Sequence, residues 1–275
     1  MRIVLGTGLL ALAAGGAWAE PSLERGTYLV EGPMGCGNCH TPLGPTGEVA
    51  GQELSGRIVE QNDLYTAIAP NITPAGDVAN WSDEELARAI REGIRPNERV
   101  IGPPMPIHLY RRLSDDDVMS VVMYLRQVPA VENDPGESTY NIPLPPNYGP
   151  PVDHVEAIPA GVTVEYGEYL AGPIAHCVEC HSPMGPQGPE TDTRTGGGGM
   201  EFKGPWGVVV APPIYGAALE HLTDADLDGM IRHGQRPTGT PMNPPMPYAH
   251  FAKMTDDDLA AIILYLRQLP EPPAG

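Results

Sequence analysis

Cys36-Gly37-Asn38-Cys39-His40 is the stretch from which the rest of the chain is read. Two thiols three positions apart, with a histidine immediately after, suit covalent attachment of haem. Each sulfur adds to one vinyl group of the porphyrin, and the tether leaves His40 under the iron as its proximal ligand. Cys177-Val178-Glu179-Cys180-His181 repeats the pattern 141 positions later. A single such motif would also suit half a zinc site. The chain has only four cysteines, however, and two motifs consume them all. No thiol is left to complete a zinc tetrad, form a disulfide or act as a nucleophile. Two covalently bound haem c groups are therefore expected, held by Cys36, Cys39, Cys177 and Cys180, with His40 and His181 on the irons.

The composition agrees with that reading. A chain of 275 residues has room for two domains of ordinary size. Aromatics make up only 6%, while Gly and Pro number 33 each, which is unfavourable for a self-sufficient apolar core. A porphyrin would supply much of the missing apolar volume, so short helices and long loops become tolerable. The formal charge of −19 excludes a nucleic-acid binder and argues against docking on anionic lipid. It favours partners with basic surfaces.

The N-terminus has the pattern of an export signal. Arg2 precedes an apolar run from Ile3 to Ala14, and Ala17-Trp18-Ala19 forms an A-x-A cleavage site. A signal peptide over residues 1–19, cleaved after Ala19, and a periplasmic location are expected. Membrane association would come only through a partner or an uncleaved N-terminus.

The remaining sequence is two copies of one plan. Ser22 to Leu29 corresponds to Thr163 to Leu170, each opening on a helix N-cap residue. Gly26 and Gly167 recur inside these helices, where glycine costs about 1 kcal/mol relative to alanine, and so imply a second helix crossing closely. Ser82-Asp-Glu-Glu-Leu86 and Thr223-Asp-Ala-Asp-Leu227 start a middle helix in each copy, and Gly93 and Gly234 sit at its expected end. Ser114-Asp-Asp-Asp117 and Thr255-Asp-Asp-Asp258 start a last helix with S/T-x-x-D capping character. The stretches between are read as loops, including the run Gly196 to Gly199, which lacks the Gly-Lys-Ser/Thr of a phosphate cradle. Residues 129–161 hold eight prolines and no periodic pattern, as in a stiff, extended linker.

A second chemical signal is Pro103-Pro-Met105-Pro106, which recurs as Pro244-Pro-Met246-Pro247. In each copy the methionine lies 65 residues beyond the motif histidine. Methionine among prolines is not a helix-core residue, and the fixed backbone holds its thioether out stiffly, as a distal iron ligand requires. Met242 competes with Met246, but its counterpart in the first copy is Ile101, so Met246 is preferred.

With CxxCH, a later Pro-Met-Pro and capped helices on either side, each half resembles a class I cytochrome c domain, over nearly all of residues 20–275. Cys39-His-Thr-Pro42, Asn71-Ile-Thr-Pro74 and Met105-Pro106 resemble the multihaem cytochrome c subunits of periplasmic dehydrogenases. The resemblance implies an all-α fold of two tandem class I cytochrome c domains, with short helices around haem and long loops. Residues 20–128 would form the first domain, 129–161 the linker and 162–275 the second. It also implies the ligand pairs His40 with Met105 and His181 with Met246. The second half has Pro213-Ile-Tyr-Gly216 in place of Asn-Ile-Thr-Pro, and Leu222 in place of Trp81, so the two haem environments should differ.

Two irons with both axial positions filled suit an electron carrier with no catalytic residues of its own. Such a carrier would relay single electrons from a dehydrogenase toward the respiratory chain, through an acceptor such as another cytochrome or an oxidase. The alternative is a dihaem peroxidase-like enzyme, which needs a vacant distal position; the duplicated Pro-Met-Pro argues against it. His108, His154, His176, His221, His233 and His250 do not recur in both halves and read as surface histidines.

Overall fold

Hydroxyl side chains start the long helices in both halves of the chain. The computed structural model describes residues 20–45 and 47–274, so the expected signal peptide lies outside the described residues. The first half carries α1 (Leu23–Glu31), α2 (Cys36–His40), α3 (Asp83–Glu92), α4 (Ile107–Tyr110) and α5 (Asp115–Leu125). The second carries α6 (Val164–Tyr169), α7 (Cys177–Cys180), α8 (Gly216–Leu219), α9 (Asp224–His233), α10 (Tyr248–Phe251) and α11 (Asp256–Gln268). Ser22, Ser82, Ser114, Thr163, Thr223 and Thr255 each accept a hydrogen bond from the backbone N–H three residues on. At α3 and α9 the capping box is complete, and both helices end on a left-handed glycine, Gly93 (φ 68°) and Gly234 (φ 59°).

The first and last helices of each half cross with no side chain between them. A Cβ on Gly26 would collide with the carbonyl oxygen of Ser120 in α5, and one on Gly167 with that of Ala261 in α11. The helix-weakening glycines are therefore what lets α1 seat on α5 and α6 on α11. Beyond Tyr169 the chain continues as a π-helical turn, Leu170–Ile174, with Pro173 inside it.

The fold is not all-α, which corrects the expectation from sequence. About 35% of the structure is helix and 13% is strand. The strands are β1 (Leu43–Gly44), β2 (Gly47–Glu48), β3 (Arg57–Gln61), β4 (Tyr65–Ala69), β5 (Thr139–Tyr140), β6 (Met184–Gly185), β7 (Gly188–Pro189), β8 (Glu201–Gly204) and β9 (Gly207–Val210). They pair antiparallel as β1-β2, β3-β4-β5, β6-β7 and β8-β9. Segments read as loops thus form hairpins. The physical signal is a set of short β-branched runs, Arg57-Ile-Val and Gly207-Val-Val-Val210, beside turn residues Asn62-Asp63 and Gly204-Pro205. β5 comes from the Pro-rich segment and pairs Tyr140 with Tyr65, so that segment completes a sheet of the first half.

One buried apolar cluster draws on both halves, from Leu29, Val30 and Val122 to Leu170, Ile174 and Ile262. Its polar seam is exchange-symmetric. Tyr28 Oη donates to Asp258 Oδ2 at 2.5 Å and accepts from the N–H of Thr255 at 3.2 Å. Tyr169, 141 positions on, donates to Asp117 Oδ2 at 2.6 Å and accepts from the N–H of Ser114 at 3.1 Å. Arg25 adds a buried bidentate pair with Asp117 (2.7 and 3.0 Å), where the second half has Tyr166. The halves therefore meet as two copies of one patch, in the manner of a two-fold dimer within a single chain. No helix among the described residues is long and apolar enough to cross a membrane.

Candidate functional site

Each CxxCH motif forms a short helical turn entered through a left-handed residue, Gly35 (φ 55°) before α2 and His176 (φ 52°) before α7. The turn points the motif histidine at a proline carbonyl. His40 Nδ1 lies 2.8 Å from Pro70 O, and His181 Nδ1 lies 2.7 Å from Pro212 O. An Nδ1–H donating to that carbonyl leaves the Nε2 lone pair for a metal. Burial lowers the pKa of both histidines, against the carbonyl hydrogen bond that raises it, which favours the neutral imidazole that a metal binds.

The backbone beneath each histidine is built alike. Gly56 N–H donates to His40 O at 2.6 Å, and Gly198 N–H donates to His181 O at 2.7 Å. Both glycines have positive φ, 92° and 70°, and a Cβ on either would run into backbone, Asn71 N or Pro213 N. The glycine run of the second half therefore supplies the counterpart of Gly56. The hydroxyls next to the histidines also match. Thr41 Oγ1 accepts from Leu54 N–H and Ser182 Oγ from Gly196 N–H, both at 3.1 Å. Sequence reasoning passed over this hydroxyl, although Thr or Ser after CxxCH in both copies is the signal for it.

Cys36, Cys39, Cys177 and Cys180 are free and half-buried. Burial pushes the thiols of Cys36, Cys177 and Cys180 up to about 12, so they are held as neutral S–H. Cys39 of the first half adds to the upward push on Cys180, and Glu179 adds to that on Cys39. The two CxxCH turns are therefore close enough for a charge on one to act on a thiol of the other. Glu179 itself is pushed up to about 8 by burial. Among the described residues, no group of three or more His, Cys, Asp or Glu side chains converges as a bare metal site would require.

Met105 and Met246 sit in matching loops after the peptide bonds Pro103–Pro104 and Pro244–Pro245, both cis. Both side chains are half-buried against the shared core, as are Cys36 and Cys177. Met242 occupies the place of Ile101: its N–H donates to Gly234 O as that of Ile101 donates to Gly93 O, both at 2.7 Å. Met246 is thus the structural counterpart of Met105. At the first site, Arg57 donates to Asn38 O at 2.7 Å, and Tyr140 of the Pro-rich segment donates to Pro103 O at 2.8 Å.

Two thiols, one imidazole with a free Nε2 and a loop-held thioether in each half form a donor set that fits haem c. Three histidines differ from their sequence reading: His250 is buried, 8% exposed, and His108 and His176 are half-buried rather than on the surface.

Comparison with known proteins leads the same way. Residues 165–270 match the model of the cytochrome c family. The chain is 26% identical to the cytochrome c subunit of a quinone alcohol dehydrogenase from Gluconobacter oxydans, an alignment covering 100% of this chain and 61% of the relative. It is 28% identical to the fructose dehydrogenase cytochrome subunit of Gluconobacter japonicus, over 91% of this chain and 53% of the relative. A diheme cytochrome c-type protein of Cereibacter sphaeroides is also 28% identical, over 86% of this chain and 82% of its own length. The chain thus spans little more than half the length of the two dehydrogenase subunits. Residues 165–270 are thus similar to the cytochrome c family, and along its length the chain resembles the cytochrome c subunits of bacterial dehydrogenases.

Proposed function

We propose that the chain is a dihaem c-type cytochrome that takes single electrons from a dehydrogenase and passes them toward a respiratory acceptor, another cytochrome or an oxidase, outside the cytoplasm. The observation that carries this reading is duplication of the donor set. Two CxxCH turns, each with its histidine Nδ1 on a proline carbonyl, recur with matched methionine loops. In this reading Cys36, Cys39, Cys177 and Cys180 form the thioether links, and His40 with Met105 and His181 with Met246 hold the irons. When bound, haem supplies a one-electron iron couple. The protein's own part is to fix ligand orientation, exclude water and set the surface charge. Pro70 and Pro212 carbonyls fix the imidazole tautomers, and the flanking prolines hold the methionine loops. With a histidine and a methionine to hold each iron, the group would supply outer-sphere electron transfer rather than oxygen or peroxide chemistry. The charge of −19 steers basic partner surfaces, so reduction by the donor slows as salt is added. Similarity to dehydrogenase cytochrome subunits supports a dehydrogenase as donor. The Arg2-to-Ala19 pattern supports export.

Methionine ligation is the most exposed part of this reading. The oxidised protein should show the weak near-infrared band of methionine on ferric haem. Met105→Ala and Met246→Ala should each remove one haem's share of it and open that iron to carbon monoxide after reduction. An unchanged band in Met246→Ala, with a loss in Met242→Ala, would refute the assigned pair.

A further inference from the structure

The helix that follows each candidate methionine reaches into the other half. α10, two residues after Met246, lies against the first attachment turn; α4, two residues after Met105, lies against the second. At the first turn the contact is made by His250. Its Nδ1 is 3.1 Å from the carbonyl oxygen of Glu31, at the end of α1, and its Nε2 is 2.9 Å from Glu48 Oε1, on β2. Its ring also fills the space over Gly35 and Gly37, where a Cβ on either glycine would stand 3.3 Å from it. One imidazole from the second half therefore joins α1, the Cys36–His40 turn and the β1-β2 hairpin of the first.

The second turn reverses this arrangement. His176 and Val178 replace Gly35 and Gly37, Pro189 replaces Glu48, and Leu109 stands where His250 would be. There Tyr110 meets the His176 ring edge-on at 5.1 Å, and Leu109 and Val178 line one cavity. Small residues and a large polar partner at one turn are exchanged for large residues and a smaller apolar partner at the other. Neither partner helix could serve the other's site.

We infer that His250 is a positioning residue for the first haem site, although it lies in the second half and only four residues from Met246. It clamps the Cys36–His40 turn, shields it from water and holds the Glu48 carboxylate. The inference rests on the proposed two-haem reading. Potentials at fixed axial ligands follow burial, hydrogen bonding and nearby charge. His250→Leu, which installs the residue type of Leu109, admits water and frees the negative charge of Glu48, so the first haem's potential falls. Glu48→Gln removes that charge and raises it.

The test is a redox titration of the haem-loaded full-length protein, with each haem assigned in Met105→Ala and Met246→Ala backgrounds. His250→Leu should change the electron-sharing equilibrium between the haems by roughly tenfold, about 59 mV for a one-electron couple, against the first haem. Glu48→Gln should move the same haem in the opposite direction, and His250→Gln, which keeps a donor toward Glu48, should move it less than His250→Leu. The haem on Cys177 and Cys180 should stay in place throughout. Movement of that haem alone would show a local effect through Met246 and overturn the inference. So would no movement of either haem in Glu48→Gln, a surface change that leaves the core intact. Haem content, measured by mass first, separates the two failures: one haem per chain overturns the two-haem reading itself.

Discussion

At the scale of the residue, Gly26 and Gly167 bear most directly on how the halves are built. Each weakens its own helix, yet each stands where a carbonyl of α5 or α11 takes the place of a side chain. Alanine would gain about 1 kcal/mol of helix propensity. Its methyl group would meet backbone, which cannot rotate away, and overpacking of that kind costs about 1–3 kcal/mol or more. Gly26→Ala and Gly167→Ala should therefore each destabilise the haem-loaded protein, by about 2 kcal/mol, in chemical denaturation. Midpoints at or above that of the parent would show that the crossings are looser than described. The repeat made these glycines conspicuous in the sequence, because a helix weak point kept in both copies needs a packing reason. His250 offered no such cue. Its partner Glu48 is 202 positions away, and nothing local distinguishes it from a surface histidine. The available signal was a break in the repeat, Gly35 and Gly37 opposite a large residue where His176 and Val178 oppose Leu109.

At the scale of the element, the six hydroxyl-capped helices were legible, while the short turns α4, α8 and α10 and the strands were not. The capped helices declare themselves through Ser or Thr caps and acidic first turns, and α3 and α9 also through terminal glycines. The strands are two to five residues long, too short for a period to emerge. β5 depends on a segment that returns about seventy positions later to pair with β4, where Ser138 accepts from and donates to the backbone of Ile68. The β1-β2 hairpin gives a prediction in pH. The hydrogen bond with His250 holds the Glu48 carboxyl below the usual carboxylate range, against a burial effect that raises it. A depressed pKa means that its stabilisation is complete above the unfolded value, about 4.3, and is lost as pH falls through the folded one. Glu48 is partly exposed, so solvent screening keeps the effect below about 1 kcal/mol. Thermal midpoints of the parent and Glu48→Gln should thus differ near pH 6 and converge as pH drops below about 4. A gap that widens on acidification would reverse the assigned sign.

At the scale of the whole molecule, the repeat is more than two domains strung on a linker. Tyr28 and Tyr169 exchange matching hydrogen bonds across the seam, and one apolar cluster runs through both halves. Calorimetry of the haem-loaded protein should accordingly give a single cooperative transition; two well-separated transitions would mean that the seam contributes little. The candidate donors could be named from the sequence because the covalent attachment proposed for them needs fixed spacing, and spacing survives in a bare sequence. Their mutual arrangement could not, since the contact of α10 with the first CxxCH turn and of α4 with the second joins residues far apart in the chain. The central claim, two covalent haems on one seam-locked chain, is tested most directly by mass spectrometry of the mature protein after denaturation and digestion. The account predicts one haem on the peptide containing Cys36 and Cys39 and one on the peptide containing Cys177 and Cys180. Free thiols on either peptide, or haem released by acid and organic solvent, would contradict it.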